Sequence, residues 1–482
     1  MSSLWPRLNG WLVWFHRWAG VALCLLVAAW FVSGAILHFV PYPALSRDEQ
    51  LARTEALDLS RIRIDPATAL ARMPGAIELR LLSSAGRPTY VGRTPADRSI
   101  RVAADTGQLL PLLSAAMARA TAERFAEAPA AHATGPLAYD QWIVHQRFNR
   151  YRPLFRVRIN DAEGTDLYVS ATTGEVVQRT RSAERAWNWP GAVLHWIYFT
   201  PLRSNWSAWN ETVWWLSLVT LVSATVGIWL GIDRLIGNRS AGRPGLSPFR
   251  GWMRWHHIIG LFACVIVFGW VFSGWLSMDH GRMFSKGQPS PEQQASVMGM
   301  PLSSAAAATS IDDLRTVGKA TEISVHAIAG RPFLTVEAGA AASSHIVWLD
   351  GGATAPAVPD SLLLAALRTA WGDAAPATER FDEMYRLAEH LPATARGFVS
   401  VKHRSTRIYL EPLSGEILVV MDPSRRVYAW IYYALHTLNF PGLASRPLVR
   451  TAIELLLLTA GLAFGVTGIV LAFRRLRREL AH

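Results

Sequence analysis

The sequence predicts an α-helical membrane protein with four transmembrane helices in a tandem duplication, plus two α+β domains held outside the bilayer. Three observations predict it. The first is Trp14–His38, WFHRWAGVALCLLVAAWFVSGAILH, an apolar run with a histidine near each end and almost no charge between. A helix crosses the hydrocarbon core with about 20 such residues. The second is its return as RWHHIIGLFACVIVFGWVFSGWLSM at residues 254–278, at an offset of 256 − 16 = 240. This register pairs His16 with His256, Gly20 with Gly260, Cys24 with Cys264, Trp30 with Trp270, Ser33 with Ser273 and Gly34 with Gly274. The third is the placing of arginine: Arg234, Arg239, Arg243 and Arg250 fall in one short loop, and Arg474, Arg475, Arg477 and Arg478 in the tail. By the positive-inside rule both face the cytoplasm. With Arg7 ahead of the first run, four spans follow, with both termini inside and two large domains outside.

The elements follow in order. After a cytoplasmic segment 1–10, transmembrane helix 1 occupies 11–40 and is stopped by Pro41 and Pro43. A signal peptide has a shorter apolar core and a small-residue cleavage site; this run is a retained anchor. Residues 41–186 have soluble composition. Short amphipathic stretches there alternate with period-two strands closed by glycine-containing turns, as in LFRVRINDAEGTDLYVSATTGE, which reads as helix-then-hairpin modules. Residues 187–210 are rich in tryptophan, broken by Pro190 and Pro201, and carry His195; they suit the membrane–water interface. Transmembrane helix 2 (211–232), a cytoplasmic loop (233–251), transmembrane helix 3 (252–279), a second outer domain (280–427), a second interfacial segment (428–447) with His436, transmembrane helix 4 (448–473) and a cytoplasmic tail (474–482) complete the chain. A second register, 436 − 195 = 241, pairs Tyr168, Gly174, Glu175, Arg185, His195, Phe199, Gly227 and Arg234 with Tyr409, Gly415, Glu416, Arg426, His436, Phe440, Gly468 and Arg475. Each half starts and ends inside, so the repeats run parallel about a pseudo-two-fold along the membrane normal.

Composition limits the chemistry. Two cysteines, both inside apolar runs, exclude a disulfide framework and an iron–sulfur site. Fourteen histidines are then the natural cofactor ligands. The net charge of +12 is partly a topology signal, and no nucleic-acid-binding motif accompanies it. Walker A, G-x-G-x-x-G and C-x-x-C-H sequences are missing, which argues against ATP-driven pumping, a nicotinamide or flavin domain and covalent c-type haem.

The H16-RWAG and W30-FVSG pair, its copy H256-HIIG with W270-VFSG, the LYVSATTGE hairpin and the LHTLNFPG segment together resemble the PepSY-associated transmembrane proteins, over nearly the whole chain. The resemblance implies a bacterial inner-membrane protein whose outer α+β domains are periplasmic and PepSY-like. It further implies a dihaem reductase that releases iron from a ferric siderophore or other ferric chelate. Many members have unknown roles, and the soluble PepSY module alone is associated with protease inhibition.

On that resemblance His16 and His256, at the cytoplasmic ends of equivalent spans, ligate the two faces of one of two expected b haems. Bis-imidazole iron has no open position and suits electron transfer. Gly20 and Gly260, one turn on, give a flat ring room. The plainer role is snorkelling to the interface. His257 points about 100° away from His256 and matches Arg17, so it is expected as a polar neighbour of a haem propionate. At the outer face His38, His195 and His436, with Met278 at the position matching His38, compete for two ligand positions. His38 lies about 33 Å along the helix from His16 and about 40° around it. Cys24 and Cys264 read as small apolar fillers. The run H145-QRFNRYRPLFRVR158 is either a charged strand edge or an anion-attracting surface for an acidic chelate or lipid head groups. Electrons must come from a separate cytoplasmic or quinone donor. The competing functions are a non-enzymatic scaffold that binds or restrains a periplasmic protein, and a permease. The permease is disfavoured because Glu454 is the one acidic residue in mid-span.

Overall fold

A computed structural model describes residues 4–377, 382–403 and 405–481. The expected N-terminal segment and tail reach beyond these at Met1–Ser3 and His482, which lie outside the described residues. Four described helices are long and apolar enough to cross a membrane: α1 (Leu4–Phe39), α2 (Trp206–Ser240), α3 (Gly251–Ser277) and α4 (Pro447–Glu479). Each is apolar on nearly all sides, as a helix facing both neighbours and lipid must be. They form a ring in which α1 packs on α4 and α2, and α3 packs on α2 and α4. Thus α1 and α3 are diagonal.

The helices outrun the apolar stretches that announce them. Hydropathy marks where hydrocarbon begins, whereas a helix ends where its cap lies. For α2 that cap is Asn205, whose side chain accepts from the Ala208 amide at 3.1 Å, so the helix starts inside the stretch expected to be interfacial. At their far ends α2 and α4 carry the helix through Arg234 and Arg474–Arg478.

Among the described residues, the remaining chain builds three antiparallel sheets. Strands β4 (Ala130–Leu137), β5 (Leu154–Ile159), β6 (Asp166–Ser170) and β7 (Val176–Thr180) form one. Strands β12 (Ala375–Pro376), β13 (Arg396–Ser400), β14 (Thr406–Glu411) and β15 (Glu416–Met421) form another. The third has seven strands in the order β11-β10-β9-β8-β1-β2-β3, where β1 is Glu78–Ser84, β2 Arg87–Arg93, β3 Ser99–Ala103, β8 Glu322–Ile328, β9 Arg331–Ala338, β10 Ala340–Trp348 and β11 Thr354–Ala355.

That third sheet crosses the expected division between domains 41–186 and 280–427. Strand β1 pairs with β8, Arg80 opposite Ser324 and Leu82 opposite Glu322, and one core runs through Leu79, Leu81, Tyr90, Ile323, Val325 and Leu334. Two edge strands that would each expose unpaired backbone cover one another. The hairpins on either side turn at Ala85-Gly86 and Ala329-Gly330, all four with positive φ, as the tight two-residue hairpin turn demands. Buried charge locks the joint: Arg80 reaches Glu175 at 2.9 Å and Glu322 at 3.2 Å, and Arg47 reaches Glu322 at 2.9 Å. Burial would raise the Glu322 carboxyl, but Arg80 and Arg47 outweigh it and hold it below the usual range.

Candidate functional site

Inside the helix ring, two pairs of histidines face each other. His16 of α1 and His256 of α3 meet across the diagonal near the end of the bundle away from the sheets, with ring centroids 6.4 Å apart and planes at 42°. His195 and His436 meet at the sheet-proximal end, at 6.3 Å and 67°. They arrive from outside the four long helices. Each lies in or just beyond a π-helical turn, Trp189–Val193 and Ala429–His436, a distortion frequent at functional sites. Trp30 of α1 donates its indole N–H to the His195 carbonyl at 3.1 Å, and Trp270 of α3 does the same to the His436 carbonyl at 3.1 Å. Two residues beyond each histidine the backbone is strained, Ile197 at φ 54° and Leu438 at φ 54°, a region that branched side chains rarely enter.

Hydrogen bonding fixes the tautomer of all four rings. His16 Nδ1 lies 2.9 Å from the Ser223 carbonyl, which can only accept, so Nδ1 carries the proton. His195 Nδ1 lies 2.9 Å from Ser33 Oγ, and that hydroxyl donates its single proton to the Trp30 carbonyl at 3.1 Å. The imidazole is therefore the donor. The same relay holds His436 through Ser273 at 2.9 Å, with Ser273 donating to the Trp270 carbonyl at 3.1 Å. His256 Nδ1 donates to Thr467 Oγ1 at 2.9 Å, whose proton goes to the Phe464 carbonyl at 2.6 Å. In every ring Nδ1–H is the donor and Nε2 keeps its lone pair. A metal-binding histidine is prepared in this way by its outer neighbours.

Glycine gives the rings their places. A Cβ on Gly227 of α2 would sit 2.5 Å from His16 Cε1, and a Cβ on Gly34 or Gly274 would meet His195 Cε1 at 3.6 Å or His436 Cε1 at 3.5 Å. Gly468 faces His256 Cε1 at 4.0 Å. Of the two glycines expected to make room, Gly20 faces open space, whereas Gly260 receives the Phe464 ring at 3.0 Å.

The spacing suits one metal held between two imidazoles. A nitrogen ligand binds at about 2 Å and its ring centre lies about 1 Å behind it, placing two opposed centres about 6 Å apart. Among the described residues no group of three or more His, Cys, Asp or Glu could hold a metal ion. Each pair thus offers two imidazole ligands, and a metal held there would need its remaining coordination from a group that it came with.

Other candidates fall elsewhere. His38 has both nitrogens engaged on α4, Nδ1 with Glu454 at 3.0 Å and Nε2 with Thr451 at 3.0 Å, so it stands apart from the His195–His436 pair. Met278, its counterpart, packs with Ile197 and Trp209. His257 is turned to α2, where Nε2 donates to the Gly231 carbonyl at 2.9 Å. Cys24 and Cys264 approach only carbonyls one turn back, those of Val21 and Leu261. Sequence reasoning noticed Ser33, Ser273, Gly227 and Gly468 as recurring residues without giving them roles. Thr467 it missed, because Val226 stands at the matching position and recurrence carries no signal there.

Over residues 13–475 the chain matches the family model described as the PepSY-associated TM region. No curated protein and no solved structure matches it.

Proposed function

The chain belongs to the PepSY-associated transmembrane family, and we propose that it is a bacterial inner-membrane b-type haem protein that moves electrons across the membrane to reduce a periplasmic ferric chelate, such as a ferric siderophore, in iron uptake. One observation carries this reading: four imidazoles form two facing pairs with ring centroids 6.4 and 6.3 Å apart, and each spends Nδ1–H on a neighbour and keeps its Nε2 lone pair. His16 with His256, and His195 with His436, would hold the two haems. A haem held by two imidazoles supplies a one-electron centre with no open coordination position.

The chain's own residues do the rest. Ser33, Ser273, Thr467 and the Ser223 carbonyl hold the rings in one tautomer and raise their basicity as ligands. Apolar side chains of α1–α4 keep water from both sites. Along α1 the two levels, marked by His16 and Ser33, are about 25 Å apart, most of a bilayer's hydrocarbon depth. The arginines in the last turns of α2 and α4 and in the loop after α2 support cytoplasmic termini and periplasmic sheets, and the 240 and 241 registers support a tandem duplication. A scaffold has no use for ligand-ready imidazoles at both depths, and α1–α4 run unbroken where a permease has broken helices in mid-membrane.

The test uses sealed vesicles of known orientation with reductant supplied on the cytoplasmic side and ferric citrate on the other. Ferrous iron, trapped by a ferrous chelator, should appear with the wild type and be lost with His16→Ala. Equal rates in both would refute electron conduction through these sites. A cysteine placed at Arg243 should be labelled only from the cytoplasmic side; labelling from the periplasm of intact cells would overturn the orientation.

A further inference from the structure

The arginine-rich run 145–158 divides in two. Arg156 pairs with Asp140 at 3.1 Å, and Arg158 pairs with Asp166; these are structural. Arg147 and Arg152 turn the other way, toward Arg203 of the short helix Thr200–Arg203 that leads into α2. Among the described residues no carboxylate lies within ion-pair reach of Arg147, Arg152 or Arg203. Arg152 spends its donors on the carbonyls of Ala138, Ile143 and His145 and so pins the loop. The other two keep theirs. Arg203 is 3 % exposed, its Nε has no partner, and its guanidinium lies 4.9 Å over Tyr198 and 4.5 Å over Trp209. Arg147 is exposed, its guanidinium 4.7 Å over Phe148.

All three cations lie near enough to act on His145. Partial desolvation of this solvent-facing side chain and the charges of Arg147, Arg203 and Arg152 push its imidazole down to about 4, so it is neutral at pH 7. Its Nδ1 accepts from the Arg147 amide at 3.0 Å, which leaves Nε2–H as a further donor. Gln141 makes the floor rigid by donating to the Tyr198 carbonyl at 2.6 Å and accepting from Thr200 Oγ1 at 2.9 Å. A guanidinium this buried with neither carboxylate nor full hydrogen bonding is costly unless something else neutralises it.

We propose that Arg147, Arg203 and His145 Nε2 form a binding site for an oxyanion, a ligand bearing carboxylate or phosphate groups, on the sheet-proximal side of the bundle. The planar guanidinium fork matches both groups. Trp209, over which Arg203 lies, donates its indole N–H to the carbonyl of Trp196, the residue after His195, at 2.9 Å, so the site is joined to the segment that carries one of the sheet-proximal histidines. The same chemistry is offered by a lipid phosphate, since Arg203 and Trp209 lie where α2 begins. The inference goes beyond the haem reading, and its test contains no iron reduction.

The full chain is placed in phosphatidylcholine nanodiscs and titrated calorimetrically with citrate and with inorganic phosphate at low salt. Saturable binding at one site per chain is expected, weakened about tenfold or more by Arg203→Gln and by Arg147→Gln, and unchanged by Arg98→Gln, which removes an exposed charge on the β2–β3 turn. Arg147 is exposed, so its variant stays informative if Arg203→Gln fails to fold. A lipid source gives another pattern: citrate binding is suppressed in phosphatidylglycerol nanodiscs, and native mass spectrometry finds phosphatidylglycerol retained by the wild type and released by Arg147→Gln. Either pattern upholds the oxyanion site. Absence of citrate, phosphate and lipid binding, or binding that Arg147→Gln and Arg98→Gln weaken equally, overturns it.

Discussion

Ser33, Ser273 and Thr467 each take a proton from a histidine and pass their own to a carbonyl, so deleting one hydroxyl strands a buried Nδ1–H. Leaving such a donor unsatisfied costs about 1–3 kcal/mol, and loss of an outer partner typically weakens metal affinity about 10–100-fold. Ser33→Ala should therefore loosen the haem at His195 and His436 and leave the His16–His256 site intact, read as one of two haems lost on dilution or competition with apomyoglobin. Equal retention of both would show that the hydroxyl does not prepare the ring. His257→Ala should keep both haems, because its Nε2 is spent on the Gly231 carbonyl. The His16–His256 pair was legible in the sequence because a costly polar residue recurs at one depth of two spans, whereas at the outer face His38, His195 and His436 were left competing for two positions. Their hydrogen-bond partners were less so: Ser33 recurs as Ser273, but a threonine and a backbone carbonyl do the same work for His256 and His16. His38 looked equivalent by helical angle, and only the position of Glu454 on α4 removes it from the pair.

At the scale of the helices, glycine decides how closely they pack. Gly461 and Gly465 of α4 form a G-x-x-x-G face against α1: a Cβ at Gly461 would enter the Phe31 ring, and one at Gly465 would lie 3.1 Å from the Ala28 Cβ. Small residues at that spacing let backbones approach. Gly461→Leu should destabilise the bundle by about 1–3 kcal/mol, the usual cost of overpacking, seen as a lower midpoint of thermal unfolding in detergent; an unchanged midpoint would mean that α1 and α4 are not held at this face. Gly227→Val should drive the His16 ring from its place and remove the haem at the end away from the sheets, with the other retained. The existence and order of the four helices were plain from hydropathy. Their ends were not, since Asn205 and the arginine-bearing last turns obey capping rather than apolarity. The π-helical turns that deliver His195 and His436 were read as interfacial helix, because their distortion depends on packing against α1 and α3 and leaves no periodic trace.

Across the whole molecule, the two sheet-bearing regions are welded by the β1–β8 pairing and its buried charges. Glu322→Gln leaves Arg80 and Arg47 short of a partner, and breaking a buried pair in this way costs about 3–5 kcal/mol. Hydrogen exchange in residues 78–84 and 322–328 should rise together. Exchange confined to one strand would argue against a shared sheet. Acid should act in the same direction. Glu322 is held below its ordinary value of 4.5, so its contribution is complete above that pH and is lost as the pH falls below it, when the unfolded chain takes up the proton first. Local patterns showed strands and turns such as those of LFRVRINDAEGTDLYVSATTGE but not this joint, because edge pairing between segments some 240 residues apart follows from neither periodicity nor turn chemistry. The shared A-G-R-P of Ala85–Pro88 and Ala329–Pro332 marks the two hairpins as alike, without saying that they meet. The proposed function rests on the four imidazoles, and the most direct measurement of them is haem content by pyridine haemochrome together with the low-temperature EPR spectrum of the purified protein. Two b-type haems per chain with low-spin ferric signals are expected, falling to one in His16→Ala and to one in His436→Ala; a wild-type protein that binds no haem when haem is supplied during expression would contradict the assignment.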